Sequence, residues 1–270
     1  MTRVSRIFRS TATALAPALP ALAALPTANA ATLLYSQDFE SPTGFVSDGG
    51  DVNIFRSINQ LYSGQPPGFT FAQANTVETL LVGGNQAFGG QGFVDPAAIA
   101  GRYVVGMLSN VQNDLLALSF NVGSFKFLNF RLDIASIDLG NWGGPFVPVG
   151  GAAPVFRFSL YDNPSGAVGL AGGTPLSSLE ATGTLNPVKN TFDWTNVVAA
   201  LDATGNTNGN VILQIDLLSG GYAAMDNFFI AASDIGGEVP GATIPLPPGL
   251  ALMLGGALLL GGAARRSRRG

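Results

Sequence analysis

Apolar and polar residues alternate along most of this chain in short stretches broken by Gly, Pro, Asn and Asp, the period of half-buried β-strands. Between Lys126 and Leu139, the side chains of Leu128, Phe130, Leu132 and Ile134 fall on one face and those of Asn129, Arg131 and Asp133 on the other. Phe156, Phe158 and Leu160 alternate in the same way with Arg157, Ser159 and Tyr161. Further strands are expected at Thr32 to Phe39, Gly68 to Ala72, Thr76 to Val82, Gly101 to Leu108, Leu115 to Val122, Leu176 to Leu185, Asn210 to Leu218 and Tyr222 to Ala231. Asp193 to Leu201 is expected as a short helix, and Asn141 to Pro154, rich in Gly and Pro, as a long loop. About ten strands joined by turn residues predict an all-β fold, an antiparallel two-sheet β-sandwich of jelly-roll type.

Both ends depart from this pattern. Arg3, Arg6 and Arg9 precede an Ala/Leu-rich stretch from Thr11 to Pro26, and Ala28-Asn29-Ala30 is an A-x-A site, so residues 1–30 read as a signal peptide. At the other end, Gly249 to Ala264 carries no charge and is followed by Arg265, Arg266, Arg268 and Arg269. Sixteen residues span about 24 Å as a helix, at the short end for one membrane crossing, and the arginines suit a cytoplasmic stop. The sandwich is then expected over residues 31–237, with 238–243 as a linker and 244–270 as a tail.

Ile244-Pro245-Leu246-Pro247-Pro248, the apolar run and the Arg cluster together resemble the tripartite sorting tails of PEP-CTERM proteins, in their VPLPA variant. Ile244 stands where that motif has Val, and Pro248 where it has Ala. The resemblance implies processing by an exosortase-type membrane protease. It also implies delivery to the cell surface or extracellular matrix of a Gram-negative bacterium, with first anchoring in the inner membrane by the C-terminal helix.

Setting the terminal segments aside changes the charge. Of 13 basic residues seven lie in those segments, leaving six against 17 acids, a net of −11 where the whole chain shows −4. A phosphate backbone is repelled by such a domain, which disfavours nucleic acid as a partner. The chain has neither Cys nor His. That excludes disulfides, Ser-His-Asp and Cys-His nucleophile systems, and the usual zinc sites.

The segments Thr191-Phe192-Asp193-Trp194, Val211 to Leu217 and Tyr222 to Asn227 resemble the closing strands of carbohydrate-binding jelly rolls, and Asp38-Phe39-Glu40 resembles their opening strand. The resemblance implies a structural calcium held by Glu40 and Asp226, with Asp38 as a helper and backbone carbonyls completing the shell. Read locally, Asp226-Asn227 also suits a bulge or turn, because Phe228 and Phe229 in succession break the alternation. Trp142, beside Asn141, is a candidate platform for a sugar ring, or a plug for the end of the core. Trp194 reads as core, and Tyr62, Tyr103 and Tyr222 suit either role. Asp48/Asp51 and Asp133/Asp138 are carboxylate pairs of the kind a glycoside hydrolase needs; the first sits in a Gly-rich turn and the second on opposite faces of an alternating strand. No dinucleotide fingerprint, phosphate loop or nucleophile elbow is present. The expectation is a non-catalytic domain that binds exopolysaccharide or another matrix component. A purely structural or adhesive matrix role and a carboxylate-based glycoside hydrolase are the alternatives.

Overall fold

A computed structural model describes residues 30–62, 70–74, 76–85, 92–111, 113–138, 152–170 and 173–240. The signal segment up to residue 29, the loop holding Asn141 and Trp142, and the tail with Ile244 to Pro248 lie outside the described residues. Among the described residues no helix is long and apolar enough to cross a membrane.

The strands are β1 (Thr32–Gln37), β2 (Val52–Asn53), β3 (Phe71–Ala74), β4 (Val77–Leu81), β5 (Tyr103–Met107) and β6 (Leu115–Asn121), then β7 (Phe127–Ser136), β8 (Val155–Asp162), β9 (Pro175–Thr182), β10 (Trp194–Asp202), β11 (Asn210–Ser219) and β12 (Ala223–Ser233). They form two antiparallel sheets. Sheet A runs β10-β7-β12-β5-β4-β2, with β1 also on β12; sheet B runs β3-β6-β11-β8-β9. The β-sandwich expected from the alternation is what the chain builds. A single helical turn, α1 (Ile58–Leu61), buries Ile58 and Leu61 and was not expected.

Alternation fills the space between the sheets. Phe130, Leu132 and Ile134 of β7 meet Phe156, Phe158 and Leu160 of β8 in one core, with Phe130 and Phe158 at 4.7 Å between ring centres. A second apolar cluster lies on the other side of sheet A. Val104, Ala135 and Ala224 each neighbour a residue of the main core, and Leu80 lies three positions from Val77 of that core on β4, so all four point the opposite way, to be covered by Phe93, Ala100 and Phe192. Phe93 and Phe192 stack nearly parallel, and parallel bridges Val82↔Phe93 and Val94↔Thr191 tie the covering segments down. Strands buried on both faces lose their alternation, which accounts for the apolar run Tyr103-Val104-Val105-Gly106-Met107.

The helix expected at Asp193 to Leu201 is corrected to strand β10. Thr195, Val197 and Val198 are β-branched and favour extended backbone. Nine residues of β10 pair with β7, Val197 and Leu201 turning in while Asn196 and Val198 stay exposed.

Candidate functional site

Two places on this scaffold concentrate polar chemistry. The first arises where β12 changes neighbours. Ala223, Ala224 and Met225 pair with Met107, Gly106 and Val105 of β5, and from Phe228 onward the same edge pairs with β1. Asp226 and Asn227 fall in the changeover. Asn227 takes φ 54, and the register against β7 slips between Asp226 and Phe229. Asn adopts the left-handed region more readily than most residues, and the extra residue makes a bulge. Met225 and Phe228 can therefore both enter the main core although they are three apart.

Asp226 is fully buried. Its Oδ1 accepts the Asn227 N–H at 2.6 Å, while Oδ2 is buried with no hydrogen-bond partner. Burial pushes the carboxyl up to about 8, and the charges of Glu40, Asp133 and Asp38 push the same way. Asp133 stands directly opposite on β7 and accepts from Asn196 Nδ2 at 2.7 Å and Asn227 Nδ2 at 3.0 Å. Glu40 accepts the N–H groups of Arg102 and Tyr103 at 2.7–3.1 Å, so its carboxylate is clasped onto the start of β5. The clasp needs Gly101, since a Cβ there would lie 2.4 Å from the Glu40 carboxyl. Asp38 Oδ1 accepts the Glu40 N–H at 3.1 Å. Phe39, at φ 56, buries its ring and offers its carbonyl to the Tyr62 hydroxyl at 2.8 Å. Burial pushes the pKa of that phenol up and disfavours its ionisation, with the charges of Asp226 and Glu40 adding.

A buried carboxylate oxygen with no donor is costly unless it is protonated or paired with a cation. Asp226 and Glu40 keep unused lone pairs, and a hard oxygen-seeking ion such as calcium fits that donor set. Among the described residues no three acids converge as a ready-made cluster, so backbone carbonyls and water would supply much of the shell.

The second place is the outer face of sheet B. Residues of β8 that alternate away from the core meet outward residues of β9 and β11 in register. Arg157 is opposite Glu180 on one side and Asp216 on the other; Ser159 is opposite Ser178 and Gln214. One row up, Tyr161 pairs with Pro175 and Ile212. These rows floor an open cleft of about 520 Å³ lined by Arg157, Ser159, Tyr161, Ser178, Glu180 and Asp216 among others. Glu180 Oε1 accepts from Arg157 Nε at 3.2 Å and Nη2 at 2.9 Å. Asp216 is 8% exposed, takes a hydrogen bond from Gln214 Nε2 at 2.7 Å, and is held above its ordinary carboxylate value by burial.

The structure thus sets Asp226, Glu40 and Asp38 within electrostatic reach of one another. Tyr62 and Tyr222 are buried as packing. Trp194 is half-buried against Phe192, and Tyr103 lies against Phe45. Asp48 serves a turn by accepting the Ile54 N–H. Asp133 was visible as an outward residue of its strand, but its place opposite Asp226 was not. Arg157, Ser159 and Tyr161 were likewise legible as facing away from the core, without their partners Glu180 and Asp216.

No protein-family model matches the chain, and no curated protein matches it in sequence. Among solved structures it is similar to the CBM22-1 xylan-binding domain of Paenibacillus barcinonensis Xyn10C, at 10% identity over 77% of this chain and 99% of that one, with a TM-score of 0.42. It is also similar to TmCBM61 in complex with β-1,4-galactotriose (13% identity, 62% and 90% coverage, TM-score 0.34). The cyclase Fisc from Fischerella sp. TAU is similar at 15% identity, with 74% and 98% coverage and a TM-score of 0.43. These superpositions are loose and bring neither a ligand nor a chemistry to this chain.

Proposed function

We propose that this sandwich is a non-catalytic polysaccharide-binding domain acting at the cell surface or in the extracellular matrix. The open cleft on the outer face of sheet B is the observation that carries the reading. Its floor offers hydroxyls from Ser159, Ser178 and Tyr161, an aromatic ring, and carboxylates set in fixed register across three strands. Such groups suit the hydroxyls and apolar faces of a sugar. A groove on a sheet face also leaves both ends of a long polymer free to continue. The signal segment and the sorting tail supply the export, the exosortase-type partner and the first membrane anchor in this reading. A calcium ion held by Asp226 and Glu40, assisted by Asp38, locks the junction of β1, β5 and β12 as a structural element remote from the glycan. The buried Oδ2 of Asp226, which has no hydrogen-bond partner, supports that assignment.

A glycan array probed with the full chain in mild detergent tests the reading. Binding to at least one polysaccharide, weakened tenfold or more by Tyr161→Ala with an unchanged melting temperature, is the expected result. Absence of binding across the array removes it in favour of a structural matrix role. Release of reducing sugar from exopolysaccharide would replace binding with hydrolysis.

A further inference from the structure

We propose that the sheet B cleft selects uncharged polysaccharides and rejects polyuronates and other anionic glycans, because its single guanidinium is already neutralised by the protein itself. The inference rests on the proposed cleft and concerns what that cleft accepts.

Among the described residues lining the cleft, Arg157 is the one cation. An arginine in a sugar site ordinarily signals recognition of a carboxylate, sulfate or phosphate, since its planar fork matches such anions. Here that capacity is spent inside the molecule. Two guanidinium nitrogens point at Glu180 Oε1, and across the other strand the next side chain in the row is Asp216. The order Glu180, Arg157, Asp216 along one row of three adjacent strands gives two acids for one base. An incoming carboxylate would have to displace Glu180 and meet Asp216 on the far side. Neither approach is compensated by any other cation of the lining. The surrounding domain carries a net of −11, so the long-range field repels an anionic polymer before contact.

The same arrangement favours a neutral chain. Carboxylates accept hydrogen bonds and cannot donate them, and sugar hydroxyls are donors. Asp216, held by Gln214 on the cleft floor, and Glu180, held by Arg157 at its rim, are two fixed acceptors flanking the same row. Ser159 and Ser178, one row along, can donate or accept as the hydroxyl opposite them requires. Arg157 then acts as a positioning residue that keeps the Glu180 carboxylate in place.

Binding of the full chain in mild detergent to immobilised xylan, β-1,4-galactan and β-1,3-glucan is compared with binding to polygalacturonate and alginate at 50 and 500 mM NaCl. The inference expects at least one uncharged polymer to bind ten times more tightly than either polyuronate, with affinity changing less than twofold between the two salt concentrations. Glu180→Gln frees the guanidinium from its ion pair. It is expected to lower affinity for the uncharged polymer and raise polygalacturonate binding at 50 mM NaCl by fivefold or more. Glu180 is half-exposed on the edge strand β9, so the substitution leaves the core untouched. Tight, salt-sensitive polyuronate binding by the wild type overturns the selectivity while leaving the glycan-binding reading intact. An unchanged ratio in Glu180→Gln overturns the role given to the Arg157–Glu180 pair. Absence of binding to all five polymers overturns both.

Discussion

Replacing Asp226 by Asn removes a titratable carboxyl from the junction of β1, β5 and β12 and preserves the shape of the side chain. The folded-state carboxyl stands near 8 against an ordinary value of 3.8. The native state therefore holds this proton more tightly than the unfolded chain. Its stabilising contribution is complete below pH ~4 and is lost as pH climbs through about 8. At about 1.4 kcal/mol per pH unit, the part of this gap lying between pH 5 and 8 amounts to roughly 4 kcal/mol. For a domain of this length that corresponds to a fall in melting temperature on the order of 10–20 °C between pH 5 and pH 8.5 in chelator. Glu78, whose carboxyl burial also pushes up to about 8, adds a second loss over the same range. Asp226→Asn should therefore retain about half of the wild-type pH slope and melt higher than wild type at pH 8.5 when metal is absent. Millimolar calcium should reverse that order, raising the wild type and leaving the variant nearly unmoved. Fluorimetric melts from pH 5 to 9, with chelator and with calcium, measure all four arms. Equal pH slopes for the two proteins would refute the burial argument. Equal gains from calcium would refute the ion's placement at Asp226.

Glu78→Gln should reduce the remaining slope in chelator, and the double variant with Asp226→Asn should keep only the smaller pH dependence that the raised carboxyls of Asp114 and Asp216 impose. Gly101→Ala places a methyl group against the Glu40 carboxyl; it should cost about 1–3 kcal/mol in a urea titration and abolish the gain from calcium. Phe158→Ala empties the centre of the inter-sheet core opposite Phe130 and should cost about 3–5 kcal/mol by the same titration.

The alternation of β7 and β8 announced the sandwich because each of those strands has one face in the core and one outside. The segment now known as β10 was misread for a local reason: Ala199-Ala200-Leu201 favours helix and Asp193 suits a helix start, and only pairing with β7 decides against them. The second apolar cluster could not be read, since it depends on Phe93 and Phe192 folding over a sheet face that a two-sheet pattern assigns to solvent. Asp226 stood out as part of a motif, and the broken alternation at Phe228-Phe229 correctly marked the bulge that aims it. Asp133 and its partner Asn227 are 94 positions apart, and nothing in either neighbourhood names the other. The cleft is hidden in the same way. Periodicity says that Arg157 faces outward, but its alignment with Glu180 and Asp216 is a matter of strand register, which is set by the whole sheet.

The place of β12 within sheet A also fixes when the fold can close. β7 and β10 lie on one side of it, and β5, β4 and β2 and, separately, β1 on the other, so without Ala223–Ser233 the sheet falls into three unconnected pieces. Thr32 pairs with Ala232, 200 positions later in the chain. Contacts of such sequence separation form slowly, because the intervening chain must be ordered before they repay the entropy of closure. A polypeptide emerging from its N-terminus holds β1 unpaired until nearly all of the sandwich has followed. This delay leaves the backbone groups of Thr32–Gln37 without their sheet partner until Ala223–Ser233 has been made.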